Sequence, residues 1–191
     1  GITIQSFGTG NATGRFAEGR SLTPGFRHYL SIPNEARYDS LRERMIFEMY
    51  VSVRKLPAKG RQMALASKGG STAGSYGWQI YLRRRTGDNK IVLVFRASVD
   101  GGNTYDEIVT APVTISTNTF YHIVYRLDTD HSNAAQVRGF LNGSRVANGS
   151  FINDSGHRAT INNPDLPLYL GRDASSSAYF DGVIDEVCIH N

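Results

Sequence analysis

The sequence predicts an all-β protein in which two antiparallel sheets pack face to face as a β-sandwich of the jelly-roll type. Short runs of β-branched and aromatic residues recur along the 191-residue chain, which is typical of strands. Between these runs stand 20 glycines and 6 prolines, spread along the chain as turn residues rather than gathered in a linker. Sustained helical periodicity is absent. Many short strands with frequent turns are typical of sandwiches and jelly rolls.

In the first half of the chain, runs rich in Val, Ile, Met, Phe and Tyr predict strands at residues 44–53, 62–67, 77–85, 90–98 and 106–110. The segment Thr86-Gly87-Asp88-Asn89 joins the third and fourth of these strands, so we expect a hairpin. Asp100-Gly101-Gly102-Asn103 supplies the next turn. Residues 34–44 have sparse apolar positions and predict at most a turn or two of helix.

In the second half, the same pattern predicts strands at residues 119–128, 136–141, 144–148, 166–171 and 182–190. The first of them alternates well, which places Tyr121, Ile123, Tyr125 and Leu127 on one face. Asn142-Gly143 separates the strands predicted at residues 136–141 and 144–148. This dipeptide is the signature of a two-residue type I′ hairpin turn.

Length and cysteine content indicate one domain that needs no disulfide or metal to stabilise it. At 191 residues a single core can bury roughly 70% of the surface of the unfolded chain, so we expect one domain over residues 1–191. The single cysteine, Cys188, cannot form an internal disulfide, and we identify no Cys or His ligand pattern near it. The longest unbroken apolar run, residues 91–95, is too short to span a bilayer, so membrane insertion is not expected.

The charge balance is basic. Lys and Arg number 21 against 17 Asp and Glu, and 17 of the 21 cations are Arg, which binds carboxylate and sulfate groups in a bidentate manner. The charge therefore favours an anionic partner. A net charge of +4 is weak for nucleic acid, and neither a recognition helix nor an aromatic RNA-binding motif accompanies it, so a nucleic-acid partner is not expected.

Several motifs in order resemble the laminin-G-like, concanavalin A-like family of jelly-roll domains. The closing segment from Tyr179 to Asn191 is similar to the family's aromatic-x-Gly-x-Ile-Asp-Glu-Val-x-Ile-x-Asn pattern. Five further segments fall in the family's order: Tyr29 to Pro33, Met45 to Val53, Phe120 to Val124, Phe140 to Val146 and Leu168 to Gly171. The resemblance covers residues 14–191 and implies a jelly roll cut from a larger secreted, cell-surface or virion-surface protein.

The same family contains lectins, carbohydrate-binding modules, adhesion domains, viral surface domains and glycan-cleaving enzymes, so the fold does not decide the function. The resemblance implies a non-catalytic binding or adhesion module that recognises a glycan or a cell-surface receptor. One alternative is a glycoside hydrolase or lyase on the same fold. A second is a structural or assembly domain of a viral or bacterial surface fibre or particle, which would form oligomers through its parent protein.

The carboxylates do not favour an enzyme. Glycosidases need a pair of carboxyl groups at a defined separation, and those of this family commonly carry Glu-x-Asp-x-x-Glu along one strand. None of the six glutamates stands in that spacing; Glu48 and Glu107 are the candidates for a pair from distant strands. Tyr121 and His122 invite a lyase interpretation, but neighbours on a strand point to opposite faces. No catalytic residue is therefore assigned.

Asp185 is the carboxylate that most suggests a metal. Strand alternation places it on one face with Val183, Val187 and Ile189, so we expect it to enter an apolar layer, where an unpaired carboxylate is costly. Many relatives hold a structural Ca²⁺ near this closing strand, which implies a site formed by Asp185 and Asn11, the latter in a glycine-rich N-terminal segment. The alternative is that Asp185 pairs with an arginine or caps loop amides.

Six aromatic or cationic side chains in loops and at strand ends are candidate ligand contacts: Tyr76, Trp78, Arg83, Arg85, Tyr105 and Tyr179. Exposed aromatic rings offer platforms for sugars, and arginines offer forks for acidic groups. Trp78 also shares strand parity with Ile80 and Leu82, which favours the core instead. The run Arg83-Arg84-Arg85 is equally typical of a solvated strand edge that resists edge-to-edge pairing.

Overall fold

The computed structural model describes residues 5–16, 18–35, 44–99, 103–128, 135–151 and 160–190. Within these ranges it contains fourteen strands and one short 3₁₀ turn at Pro24–Phe26. The strands are β1 (Gln5–Phe7), β2 (Gly10–Thr13), β3 (Glu18–Leu22), β4 (Tyr29–Ile32), β5 (Arg44–Val53), β6 (Gln62–Lys68), β7 (Trp78–Arg84), β8 (Ile91–Ala97), β9 (Asp106–Val109), β10 (Phe120–Asp128), β11 (Ala135–Leu141), β12 (Ser144–Phe151), β13 (Leu168–Leu170) and β14 (Gly182–His190).

The strands form two seven-stranded antiparallel sheets, which confirms the predicted β-sandwich. One sheet, here called the front sheet, has the order β1-β4-β13-β6-β7-β8-β9. The other, the back sheet, has the order β12-β11-β10-β5-β14-β3-β2. In the described part of the chain, no helix is long and apolar enough to cross a membrane.

The core lies between the two sheets and is built by strand alternation. On β10, Tyr121, Ile123, Tyr125 and Leu127 are all buried, as the alternation predicts. Trp78 on β7 is fully buried and packs against rings from both sheets. Burial of apolar area at about 25 cal/mol per Å² makes this layer the main source of stability.

The hairpin turns form where the sequence places them. Asn142 and Gly143, between β11 and β12, have φ of 49° and 79°, and positive φ at both central positions is what a type I′ turn requires. The β7–β8 hairpin also forms, with Asn89 at φ 60° in its turn. The turn expected at residues 100–103 and the short helix expected within residues 34–44 fall largely outside the described residues.

The alternation expected along β14 is wrong because the strand carries a β-bulge. Its pairing with β5 shifts register between Asp185 and Cys188, and Glu186 adopts φ 46°. Beyond the bulge the faces are exchanged: Val187 and Ile189 pack against the core, whereas Cys188 and His190 are exposed. Asp185 therefore does not share a face with Val187 and Ile189.

The loop at residues 171–181, here called the covering loop, folds back over the outer face of the front sheet. Its Ala178 packs with Ala64, Tyr81, Val92 and Val94, a small buried apolar patch separate from the main core. The loop thereby buries part of a sheet face that would otherwise be open to water, and a cleft forms along its margin.

Candidate functional site

The cleft on the outer face of the front sheet has a volume of about 260 Å³. Its lining is mostly polar: Gln62, Gly70, Ser71, Tyr76, Gln79, Tyr81, Arg96, Tyr105, Asp173, Ala174, Ser175 and Ser177. The lining comes from β6, β7 and β8, from the loops that precede β7 and β9, and from the covering loop. A loop-rimmed cleft on a rigid sheet is a common place for a ligand site.

Two tyrosines form one wall of the cleft. The rings of Tyr76 and Tyr105 stack with centroids 4.4 Å apart and planes 24° apart. Asn162 Nδ2 donates a hydrogen bond to the Tyr76 carbonyl at 2.5 Å, which anchors the loop that carries this ring. Both tyrosines are half-buried, so the wall is preformed and still reachable from solvent.

The floor contains a hydrogen-bonded chain of neutral groups. The Tyr81 hydroxyl donates to Gln79 Oε1, and Gln79 Nε2 donates to the Tyr105 hydroxyl at 3.0 Å. Burial raises the pKa of Tyr81 well above its usual range and raises that of Tyr105 to about 12. Both phenols therefore stay protonated at neutral pH and can serve as hydrogen-bond donors or acceptors.

A carboxylate held by two arginines lies beside the floor. Arg83 donates two hydrogen bonds of 2.7 Å to Glu107, and Arg96 donates two of 2.6 and 2.9 Å to the same carboxylate. These bonds, led by those from Arg83, lower the pKa of Glu107 to about 2. Arg96 also lies over the rings of Tyr81 and Tyr105. Glu107 is therefore ionised at neutral pH, and its carboxylate holds the two guanidinium groups in place.

The opposite rim is organised by Asp173, whose side chain is almost fully buried. Its carboxylate accepts four hydrogen bonds from the covering loop, donated by the Ser175 hydroxyl, the Ser177 hydroxyl and amide, and the Ala178 amide, at 2.7 to 3.0 Å. Ser67 Oγ donates to the Arg172 carbonyl and ties the start of the loop to β6. The rim is therefore a structured loop that presents serine hydroxyls to the cleft.

Of the six predicted ligand contacts, the structure brings Tyr76 and Tyr105 together in the cleft. Arg83 lies beside it, with its guanidinium bonded to Gln62 and Glu107. Arg85 is outside the lining and pairs with Asp88 across the β7–β8 turn at 3.3 Å.

Two further predicted contacts lie elsewhere. The prediction for Trp78 as a ligand contact is wrong, because its side chain is 0% exposed and packs in the core, as its parity with Ile80 indicated. Tyr179 lines a separate shallow groove with Pro24, Lys55 and Asp181.

Sequence reasoning missed Gln79, Tyr81, Arg96 and Asp173. The first three point to the outer face of the sheet. The sequence does indicate this, because each stands next to a core residue, Ile80 or Phe95, and neighbours on a strand point to opposite faces. Their burial could not be deduced, because it depends on the covering loop, which is distant in sequence. Asp173 stands in a polar Asp-Ala-Ser-Ser-Ser segment, which is typical of an ordinary loop.

The surroundings of Asp185 and Asn11 favour capping over calcium binding. Asp185 Oδ2 accepts a hydrogen bond from the Arg15 amide at 2.7 Å, and its Oδ1 accepts one from the Glu186 amide at 3.0 Å. Asn11 Oδ1 accepts from the Arg20 guanidinium at 2.5 Å. Calcium requires six to eight oxygen ligands, but these oxygens face N–H donors, one of them cationic. The hydrogen bonds support the capping alternative, and the expectation of a Ca²⁺ site at Asp185 and Asn11 stays a prediction.

Glu48 and Glu107 lie on opposite faces of the sandwich. Glu107 is on the outer side of the front sheet beside Arg83, whereas Glu48 is on the outer side of the back sheet between two histidines. The core separates them. A glycosidase pair needs carboxyl groups roughly 5 to 10 Å apart on either side of one bond. These two glutamates do not provide that arrangement.

The two packed antiparallel sheets of seven strands place the chain in the jelly-roll class of β-sandwich. The chain belongs to the concanavalin A-like lectin/glucanase superfamily, whose laminin G-type family model matches residues 25–191. This finding confirms the resemblance and the fold drawn from the sequence motifs. No curated protein matches the chain significantly in sequence.

Solved structures with the same fold come from toxins and a bacteriophage. The chain is similar to the binding domain of botulinum neurotoxin DC in complex with rat synaptotagmin II, with a TM-score of 0.63 and 12% identity over 98% of this chain and 43% of that chain. A structure of botulinum neurotoxin type C, described as dependent on two ganglioside molecules for cell entry, matches at a TM-score of 0.57 and 14% identity, over 96% of this chain and 42% of that one.

The enzymatically active domain of bacteriophage CBA120 tailspike protein 2 matches at a TM-score of 0.63 and 13% identity, over 98% of this chain and 28% of that chain. The present chain therefore spans less than half the length of each of these three structures. At identities this low, the similarity shows a shared fold and nothing finer.

Proposed function

We propose that the chain is a non-catalytic binding module that seats a sugar unit of a glycan in the front-sheet cleft. The observation that carries this proposal is the preformed wall of Tyr76 and Tyr105, which stands over a floor of neutral hydrogen-bonding groups. Sugar rings present apolar C–H faces and hydroxyl edges. An aromatic wall next to amide, phenol and serine groups is complementary to both.

The charges around the cleft favour an uncharged sugar over an acidic one. Arg83 and Arg96 are cationic, but both donate to Glu107, and Asp173 lies on the opposite rim. The two cations and two carboxylates balance. Recognition therefore depends on hydrogen bonds and stacking, and the affinity should change little with ionic strength. An uncharged sugar differs from the anionic partner that the composition of the chain suggests.

The same groups do not suit catalysis. A general acid needs a pKa near the working pH, but Glu107, with a pKa of about 2, stays ionised. The phenols of Tyr81 and Tyr105 have raised pKa values, so they are poor bases at neutral pH. These properties support binding without turnover.

The structural neighbours agree with a binding role at a surface. One is a toxin binding domain in complex with synaptotagmin, a protein, and another is a toxin whose cell entry depends on gangliosides, which are glycolipids. By analogy, the chain would act outside the cell or on a cell or virion surface, as part of a larger protein. A protein receptor is the alternative occupant, and the tailspike match keeps glycan cleavage as an alternative to be tested.

The test is a glycan array that includes neutral, sialylated and sulfated chains, followed by calorimetric titration of the best glycan. Tyr76→Ala should weaken binding by roughly tenfold or more, which corresponds to about 1.4 kcal/mol. Tyr179→Ala, a tyrosine in the separate groove, is the matched control and should change the affinity less than about twofold. Binding to no glycan, or an equal loss in both variants, would contradict the proposal. Release of shorter sugars would favour the enzyme.

A further inference from the structure

On the outer face of the back sheet, away from the cleft, side chains of three neighbouring strands converge on Glu48. Glu48 lies on β5, directly opposite Cys188 on β14. His190 is two residues further along β14 and therefore on the same face, because side chains alternate along a strand. His122 on β10 approaches Glu48 from the other side.

The β14 bulge creates this convergence. Without the register shift between Asp185 and Cys188, the strand would turn Cys188 and His190 toward the core and Val187 and Ile189 toward solvent. A ligand pattern near Cys188 was not expected from the sequence. The pattern that could have indicated one is Cys188-x-His190, which places two metal-ligand types two residues apart on one strand face.

The distances suit a small metal ion. Glu48 Oε1 lies 3.2 Å from His190 Nε2, and Cys188 Sγ joins them in a group whose ligand atoms all lie within 4.8 Å of one another. Bonds of about 2.0 Å from Zn²⁺ to nitrogen and oxygen, and about 2.3 Å to sulfur, place tetrahedral ligand atoms roughly 3.3 to 3.6 Å apart. The carboxylate and imidazole are already near that spacing. The exposed thiol lies within 4.8 Å of both, so it needs to approach by no more than about 1.3 Å.

The types of donor select the ion. One imidazole nitrogen, one thiolate and one carboxylate form the mixed set that borderline metals such as Zn²⁺ bind, whereas Ca²⁺ and Mg²⁺ require oxygen ligands. His190 is 54% exposed, so the group faces solvent and leaves a fourth position for water.

His122 supports the arrangement from beside the ligands. Its Nε2 lies 3.2 Å from Glu48 Oε2, the oxygen that faces away from His190. Its ring stacks on Tyr50 with centroids 4.5 Å apart and planes 14° apart, which fixes its orientation. A partner that holds the second oxygen of a ligand carboxylate orients the first, as outer partners do in known metal sites.

We propose that Glu48, Cys188 and His190 form a three-ligand site for Zn²⁺ or a similar borderline divalent metal, with His122 as a positioning residue. The site lies on the opposite sheet from the cleft. Metal binding at this site does not depend on whether the cleft binds a glycan.

The test is titration of reduced, chelator-treated protein with Zn²⁺, in competition with a chromophoric chelator. We expect one equivalent to bind with a Kd of about 1 µM or tighter. A Zn²⁺ concentration about 100 times the Kd should raise the Tm by roughly 5 to 10 °C. Co²⁺ should produce a thiolate-to-metal charge-transfer absorption band that is lost in Cys188→Ser.

The variants separate this site from scattered surface histidines. His190→Gln and Glu48→Gln should each weaken binding by at least about tenfold, and His122→Gln by roughly tenfold or more without loss of the Co²⁺ thiolate band. His28→Gln is the control. His28 stacks on Phe26, outside the cluster, so this variant should bind Zn²⁺ as the parent does. Absence of binding below about 100 µM would overturn the proposal, and so would Cys188→Ser and His190→Gln variants that bind Zn²⁺ as tightly as the parent.

Discussion

At the scale of single residues, the cleft depends on carboxylates that serve as hydrogen-bond acceptors. Glu107 holds two arginines, and Asp173 holds a loop. Both carry charge in partly or fully desolvated places, which is tolerated because several donors surround each one. Asp185 follows the same pattern with the amides of Arg15 and Glu186.

Asp173→Ala should loosen the covering loop. The change leaves the amides of Ser177 and Ala178 without their acceptor in a buried place, so the free energy of unfolding should fall by about 2 to 4 kcal/mol. Urea unfolding measures this loss, and glycan titration should show weaker binding in the same variant. Asp88→Asn, at an exposed aspartate of the β7–β8 turn, is the control and should change stability by less than about 0.5 kcal/mol. An equal effect of both changes would contradict the role of Asp173.

Part of the site could be predicted from single residues. Tyr76 and Tyr105 were identified because they are aromatic and stand in polar loops. Trp78 stands beside the same loop, but its parity with Ile80 and Leu82 favours the core, and the structure places it there. Asp173 could not be identified, since its partners are two serine hydroxyls and two backbone amides of its own loop, and a polar Asp-Ala-Ser-Ser-Ser segment is typical of any loop.

At the scale of elements, ten of the fourteen strands were predicted within a few residues, because each is rich in β-branched and aromatic residues and is bounded by turn residues. The strand β4 lies in the segment Tyr29 to Pro33, which the family resemblance supplies. The three N-terminal strands β1, β2 and β3 were missed. β2 reads Gly-Asn-Ala-Thr and β3 reads Glu-Gly-Arg-Ser-Leu, so neither has an apolar face, and each extends because a neighbouring strand pairs with it. Pairing of this kind depends on distant residues and cannot be deduced locally.

The bulge in β14 was the other element-scale miss. Strand alternation predicts faces only while the register holds, and one inserted residue exchanges them. Glu186 carries the bulge at φ 46°, a conformation that nothing in its residue type indicates. The same feature exposes Cys188 and His190.

The ion cluster that joins β7, β8 and β9 should make stability depend on acid. The pKa of Glu107 is about 2 in the folded chain and 4.5 when unperturbed, so its contribution is fully present above pH 4.5 and is lost as the pH falls toward 2. The difference in unfolding free energy between the parent and Glu107→Gln should therefore shrink over that interval, as measured by urea unfolding at a series of pH values. Asp106→Asn, next to it on β9, is the control, with a smaller effect at each pH. A difference that stays constant down to pH 2 would contradict the cluster.

At the scale of the whole molecule, the two outer sheet faces carry different chemistry. The front sheet has the covering loop and the tyrosine-walled cleft, and the back sheet has the cluster around Glu48. The five large apolar side chains exposed in the described residues are spread out. Phe16 and Ile46 lie on the back-sheet side, Phe7 and Val109 lie at opposite edges of the front sheet, and Phe26, the most exposed, lies in the 3₁₀ turn. This distribution favours a binding module over the assembly domain that the sequence left open, because an assembly surface needs one continuous apolar patch.

The most direct measurement is a two-dimensional NMR titration of the ¹⁵N-labelled chain with the best glycan from the array. The account predicts amide shift changes confined to the loop around Tyr76, to Gln79, Arg96 and Tyr105, and to the covering loop near Asp173. The amides of Glu48 and His190, across the core, should stay unchanged. Shift changes centred on Lys55 and Leu56 in the separate groove or on the back sheet, or no changes at saturating glycan, would contradict the assignment of the cleft as the binding site.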